Sequence, residues 1–177
     1  EQLLAEYHQI EKIIFMPVNS QYQKVDLIEN KHRYEMLKLV CNQNEKFEVS
    51  TIEMDYPRQL YTIETLTKLQ KQYEKHEICF TMGSDNLKEL ETWSQAEELI
   101  QNFKIYVFER DKDDTEEIIE TNKFLKENRQ AFIKVKNIIK SGLSSTLVRE
   151  KIKEGKSIRY LTSDEIVSYI KQNNLYQ

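Results

Sequence analysis

Near the C-terminus, the run Gly142-Leu143-Ser144-Ser145-Thr146-Leu147-Val148-Arg149 places three consecutive hydroxyls and a guanidinium behind a glycine, opening a helical pattern that continues to Gly155. In the first two turns of a helix these side chains converge with backbone N–H groups that lack an intrahelical partner and with the positive end of the helix dipole. Donors and positive charge gathered at one spot are what holding a polyphosphate requires. A plainer reading stands beside it: Ser and Thr are preferred helix N-caps, and Ser144 or Ser145 can cap without touching a ligand. Gly155-Lys156-Ser157 is not a P-loop, because that motif needs a glycine where Glu150 stands and follows a strand rather than a helix.

The scaffold for such a group is bounded by composition. The 177 residues, 39% of them hydrophobic, suit one domain large enough to bury a core without staples. With 26 basic and 30 acidic residues the net charge is −4, and no basic tract gives an electrostatic reason to expect nucleic acid or a membrane surface as partner. Cys41 and Cys79 are too few and too far apart for a disulfide framework or a zinc knuckle, and His8, His32 and His76 show no ligand spacing. No metal site is expected from these residues, and both thiols read as reduced and buried in a cytoplasmic protein. No apolar run approaches membrane-spanning length, and Glu1 is not followed by a basic and then hydrophobic leader.

Apolar runs rich in β-branched and aromatic residues predict strands at Lys12 to Pro17, Phe47 to Ser50, Glu77 to Gly83, Phe103 to Phe108 and Phe132 to Val135. Helical periodicity covers residues 1–10, 28–43, 62–75, 94–101, 114–128, 144–154 and 162–173. Strands alternating with helices imply an α/β fold, a doubly wound parallel sheet with helices on both faces. Ligands of such sheets sit beyond the carboxyl ends of the strands. Chemistry is therefore expected at Pro17 to Lys24, at Gly83-Ser84-Asp85-Asn86, at Glu109-Arg110 and at the Ser-Ser-Thr run. The acidic stretch Asp111 to Glu117 reads as a solvated loop and helix start, with its acids at the favourable dipole end.

Several blocks resemble, in order, one family that these elements fit. Met16-Pro17-Val18-Asn19-Ser20-Gln21-Tyr22-Gln23-Lys24, with His32-Arg33-Tyr34-Glu35-Met36 after it, is similar to a proline-to-lysine loop and His-Arg-x-x-Met helix. Glu53 to Arg58 with Tyr61 to Leu66 resembles a substrate-loop block, and Gly83-Ser84-Asp85 with Trp93 resembles a Gly-Ala-Asp and tryptophan block. The run around Ser144 resembles an Ile-Ser-Ser-Thr-x-x-Arg motif. The family is that of the nicotinate or nicotinamide mononucleotide adenylyltransferases, Rossmann-like nucleotidyltransferases that join ATP to a pyridine mononucleotide and release pyrophosphate.

The resemblance implies roles. Ser144, Ser145, Thr146 and Arg149 would hold ATP phosphates, with Arg149 and Lys24 as the catalytic cations and Lys24 on a phosphate at the reacting centre. Gly83 and Asp85 would receive nucleoside ribose, Trp93 would stack on the pyridine ring, and Tyr61 with Thr62 would meet its carboxyl or carboxamide. Mg²⁺ is expected as a cofactor arriving on the ATP, without a dedicated carboxylate cage. Each residue has a duller rival. Lys24 can be a surface lysine, Asp85 and Thr62 helix caps, Trp93 a core anchor, and His32 a packing or hydrogen-bonding residue.

Relative to that family the chain begins beyond a first strand and a His-containing phosphate motif, so about twenty residues are expected ahead of Glu1 in the natural protein, well within a domain's normal size. The chain thus reads as a single nucleotidyltransferase domain, residues 1–177, that is N-terminally incomplete. The short loop after Trp93 inclines toward nicotinate, and adenylyl transfer to nicotinate mononucleotide in NAD biosynthesis is the function expected. Pro17-Val18-Asn19 with Tyr22 and Lys24 also resembles nicotinamide-preferring relatives. A phosphopantetheine adenylyltransferase and a non-catalytic nucleotide-binding regulatory module are the alternatives, and a homo-oligomer is left open.

Overall fold

The computed structural model describes residues 1–20, 27–110, 112–136, 139 and 142–177. In chain order its elements are α1 (Gln2–Glu6), β1 (Ile13–Phe15), α2 (Asn30–Cys41), β2 (Phe47–Val49), α3 (Thr62–Gln72), β3 (Cys79–Gly83), α4 (Ser84–Leu87), α5 (Ala96–Asn102), β4 (Lys104–Phe108), α6 (Thr115–Thr121), α7 (Lys123–Glu127), β5 (Phe132–Lys134), α8 (Ser145–Lys153) and α9 (Asp164–Gln172). Each expected strand forms, shortened by frayed ends. Tertiary contacts divide the chain into two compact units, residues 1–7 with 60–140 and residues 8–59 with 141–177.

In the first unit β3, β4 and β5 lie side by side in that order, all parallel. The register pairs Cys79 with Lys104 and Gly83 with Phe108, so β3 and β4 end together. Successive residues of a strand point to opposite faces, yet Ile105, Tyr106 and Val107 of β4 are all buried. Both faces of the central strand are therefore covered, as a parallel sheet requires. Helix α3 contributes Ile63, Leu66 and Leu69 as one buried stripe, and α5 contributes Leu99 and Ile100. Full burial of each such side chain is worth about 1.5–3 kcal/mol. Tyr7, just after α1, sets its ring edge-on to Tyr106 at 5.3 Å, and its hydroxyl donates to the Lys134 carbonyl and accepts from the Lys136 N–H.

Two expectations change here. The helix expected over 114–128 is broken at Asn122, which leaves helical geometry, caps α7 by accepting from the Leu125 N–H at 3.0 Å and donates to Glu91. An Asn side chain that can replace a backbone partner makes such a break inexpensive. Cys79, expected to be buried, is exposed at the start of β3, whereas Cys41 is buried as expected. Burial nevertheless pushes both thiols above their ordinary pKa, so neither is poised as a thiolate.

In the second unit β1 and β2 pair in parallel, Ile13 with Phe47 through Phe15 with Val49. A small core of Ile158, Ile166, Ile170 and Leu175 gathers Met36, Leu39 and Val40 from α2 and Val148 and Ile152 from α8. Ser163 caps α9 through the Ile166 N–H. Gly155 ends α8 at φ 67°, with its N–H bonded to the Ile152 carbonyl and that of Lys156 to the Lys151 carbonyl. This is the paired bonding of a Schellman stop, which confirms that Gly155 closes a helix rather than opening a phosphate loop. Among the described residues no helix is long and apolar enough to cross a membrane.

Candidate functional site

The turn after β3 is built around a missing side chain. Gly83 is the N-cap of α4, and a Cβ placed on it would collide with Asp85 Oδ1 and come within 2.6 Å of Arg110 Nε. Those two groups face each other, Arg110 Nε lying 3.3 Å from Asp85 Oδ1. Asp85 sits in the first turn of α4, two residues past the Gly83 cap position, so the capping alternative for it is withdrawn. Its carboxylate projects beyond the end of β3 with more than half of its surface exposed, where it can accept hydroxyls.

Trp93 follows a short 3₁₀ turn, Leu90–Thr92, and is only partly buried, its ring 6.3 Å from Phe80 in an edge-on pair. It is thus not the fully enclosed core anchor of the duller reading, and part of the indole is open to stacking. Tyr61 is exposed and is itself the N-cap of α3, with Thr62 as the first helical residue. Thr62 is therefore not the cap. The acid that completes the cap is Glu64, whose Oε2 accepts the Tyr61 N–H at 2.9 Å.

In the second unit Ser144 caps α8, its Oγ accepting the Leu147 N–H at 3.1 Å. The capping reading is correct for Ser144, yet capping consumes one acceptor lone pair and leaves its O–H free to donate. The N–H groups of Ser145 and Thr146 open the helix without an intrahelical partner, and all three hydroxyl residues are exposed. Arg149 reaches back over this turn, with Nη2 3.4 Å from Thr146 Oγ1. Burial raises the pKa of the Tyr176 phenol, while Arg149 and Arg33 nearby pull it down, so a second guanidinium faces the same tyrosine. Burial in turn lowers the pKa of Arg33, which spends Nε on the Ile28 carbonyl.

Lys24, with Gln21 to Gln23, lies outside the described residues. The segment just before it is anchored: Asn19 is buried and its Nδ2 donates to the Tyr56 carbonyl at 2.6 Å, with the carbonyls of Glu53 and Met54 at 3.3 Å. His32 meets the hydroxyl of Tyr169 through Nδ1 at 3.0 Å and stacks edge-on with its ring, the hydrogen-bonding role expected of it.

Sequence reasoning missed Arg110, Ser84 and Asp113 as partners. The run Asp111 to Glu117 is more than a solvated loop, since Asp113 accepts from Ser84 and Lys88 while Asp114 caps α6 and pairs with Lys134. The available signal was Glu109-Arg110 at a strand end, which flags position but not partner. Chemically, one unit thus presents a helix start rich in donors and a guanidinium, suited to phosphate, and the other a carboxylate and a half-open indole, suited to ribose and an aromatic ring.

The Cytidylyltransferase-like family matches residues 1–151. A probable nicotinate-nucleotide adenylyltransferase of Lachnoclostridium phytofermentans is 34% identical over 178 residues, covering 99% of this chain and 88% of that one. One from Christiangramia forsetii is 33% identical over 178 residues, with 98% and 87% covered. The solved structure of Plasmodium falciparum nicotinic acid mononucleotide adenylyltransferase complexed with NaAD superposes with a TM-score of 0.74 at 20% identity, covering 94% of this chain and 82% of that chain. The same enzyme complexed with APC gives 0.72 at 19%. These likenesses establish the fold as the doubly wound parallel α/β architecture of the nucleotidyltransferases. The chain belongs to the Cytidylyltransferase-like family and, within it, to the nicotinate-nucleotide adenylyltransferases.

Proposed function

We propose that this chain transfers the adenylyl group of ATP to nicotinate mononucleotide, giving deamido-NAD and pyrophosphate. The observation that carries the proposal is the start of α8, where Ser144, Ser145, Thr146 and Arg149 gather free N–H groups, hydroxyls and a guanidinium within two turns. In the reaction an oxygen of the mononucleotide phosphate forms a bond to the α-phosphorus of ATP. The bond from that phosphorus to the bridging oxygen breaks, and pyrophosphate leaves with the electron pair. No protein nucleophile is needed, so the work is alignment and stabilisation of charge building on the leaving group. Arg149 and the α8 N-terminus are suited to hold that group, and Lys24 is assigned to the attacking phosphate.

Asp85 is assigned to ribose hydroxyls, Trp93 to the pyridine face, and Tyr61 with Thr62 to the pyridine carboxylate. Among the described residues no three His, Cys, Asp or Glu side chains converge on a metal position. Mg²⁺ carried in on ATP would instead take its ligands from nucleotide oxygens and water, and would neutralise charge on the departing pyrophosphate. Location in the cytoplasm accords with this substrate pair.

Pyrophosphate release tests the proposal. With ATP and Mg²⁺, turnover should be fastest with nicotinate mononucleotide, slower with nicotinamide mononucleotide and absent with phosphopantetheine, and Arg149→Ala should abolish it. Turnover with none of them while ATP still binds would favour a nucleotide-binding regulatory module.

A further inference from the structure

The acidic stretch after β4 gives the turn after β3 a partner. Ser84 is 0% exposed, and its hydroxyl has both roles filled: Oγ accepts the Arg110 N–H at 2.9 Å and donates to Asp113 Oδ2 at 2.9 Å. Asp113 closes the ring by donating its own N–H to the Arg110 carbonyl at 2.9 Å. Its other carboxylate oxygen takes a 2.7 Å bond from Nζ of Lys88, one helical turn beyond Ser84. Three residues from two strand ends therefore hold one another through a closed ring of bonds, and a lysine neutralises the carboxylate.

We propose that Ser84 and Asp113 form a latch that positions the Asp85–Arg110 pair for nucleotide binding, which makes Asp113 a positioning residue for the reaction. The inference rests on the reading of Asp85 as the ribose acceptor. The Asp85 and Arg110 side chains are 52% and 63% exposed and cannot fix their own geometry, because an ion pair open to solvent gains little and is screened by salt. Their backbones must be fixed instead. Ser84 directly precedes Asp85 and its hydroxyl grips the N–H of Arg110, so the latch sets the separation of the two chains where the pair forms. Without Asp113 the hydroxyl loses its acceptor and is free to rotate off the Arg110 N–H.

Steady-state kinetics with ATP, Mg²⁺ and nicotinate mononucleotide test this on Ser84→Ala, Asp113→Ala, Asp113→Asn, the Ser84→Ala/Asp113→Ala double variant and Asp85→Ala. Weakening one hydrogen-bonded contact should raise the KM of one nucleotide about 5–10-fold in Ser84→Ala and Asp113→Ala, with kcat within about twofold. Asp113→Asn keeps an oxygen for Ser84 and should retain a near-native KM. The double variant should be no worse than either single, since both remove the same bridge. An unchanged KM in Asp113→Ala, while Asp85→Ala raises it, overturns the proposal. Should Ser84→Ala fail to fold, Asp113→Ala with its conservative rescue carries the comparison. If Asp85→Ala itself changes neither KM, the ribose reading fails and Arg110 decides the latch by NMR. Faster exchange of its amide and a shifted Nε resonance in Asp113→Ala support the latch, and both unaltered overturn it.

Discussion

Arg110 Nε and Asp85 Oδ1 lie 3.3 Å apart across the space that Gly83 leaves by having no side chain. The glycine is held there by room rather than by conformation, because its φ of −81° is open to any residue. Gly83→Ala should therefore act on the pair and spare the fold. The obstructing atoms belong to the exposed, flexible side chains of Asp85 and Arg110, which can swing away, so the stability cost should stay at about 1 kcal/mol, the lower end for overpacking. The KM of the nucleotide bound at Asp85 should rise about tenfold, as for loss of a charge-assisted hydrogen bond. A native KM in this variant would show that the pair has no part in binding.

Ser144 both caps α8 and is proposed to meet phosphate, and two substitutions separate these jobs. Ser144→Ala should cost about 1 kcal/mol of stability as a lost cap. Ser144→Asp should restore the melting temperature, since Asp caps as well as Ser, while setting a negative charge where phosphate is to sit. ATP should then bind at least about ten times more weakly in Ser144→Asp than in Ser144→Ala, because a carboxylate set against a phosphate is a like-charge contact, which costs on the order of several kcal/mol. Calorimetric titration with ATP reads this directly, and equal affinities in the two variants would leave Ser144 as a cap alone.

Arg149 lies above the same turn, and its fork cannot be replaced by a point charge. Arg149→Lys should keep a measurable ATP affinity but lose about 10²-fold in kcat, the scale for removing one aligned donor from a transition state. A kcat that survives with only KM raised would place Arg149 on the ground state of ATP.

Asp114 links stability to pH. Its carboxyl is held below its ordinary pKa by the Glu116 N–H first and by Lys134 next. A lowered folded pKa contributes stability that is present above the unfolded pKa and lost as pH falls through the folded value. Lys134 has the opposite sign: its pKa is raised, chiefly by Glu109, so its share is present at neutral pH and lost only above the ordinary lysine range. Asp114→Asn keeps the cap but cannot ionise. Denaturant midpoints should favour the native chain at pH about 7, and the gap from the variant should shrink as pH falls below the ordinary carboxylate pKa of about 3.9, closing only beneath the lowered folded value. A gap that is the same at both ends would deny the carboxylate any pH-linked role.

Much of the fold was legible because β1 and β4 are runs of Ile, Val, Phe and Tyr of the kind that suits a parallel sheet. What escaped was set by competition at single residues. Asn122 splits a periodic helix by offering its own side chain as a partner, and α4 is too short, at four residues, to leave a periodic signal. In the site, the hydroxyl run could be read from type and spacing, and Asp85 from its place after a strand together with the family resemblance. Arg110 could be flagged only by its place at a strand end; its partner could not, because Glu109-Arg110-Asp111-Lys112 otherwise reads as a solvated charge run. Its meaning arises only when the β3–β4 register sets Gly83 beside Phe108 and brings Arg110 against Asp85. The tertiary pairing wrote that contact, and no local rule encodes it.

Asn19 leaves one more mark on the molecule. Its amide nitrogen carries two hydrogens, yet three carbonyls, from Glu53, Met54 and Tyr56, lie within 3.3 Å of it. The bend from 53 to 56, which closes on itself through the Asp55 N–H and the Thr51 carbonyl, is thereby tied to the end of the segment after β1 by one shared donor, so a single amide joins two stretches of chain more than thirty residues apart.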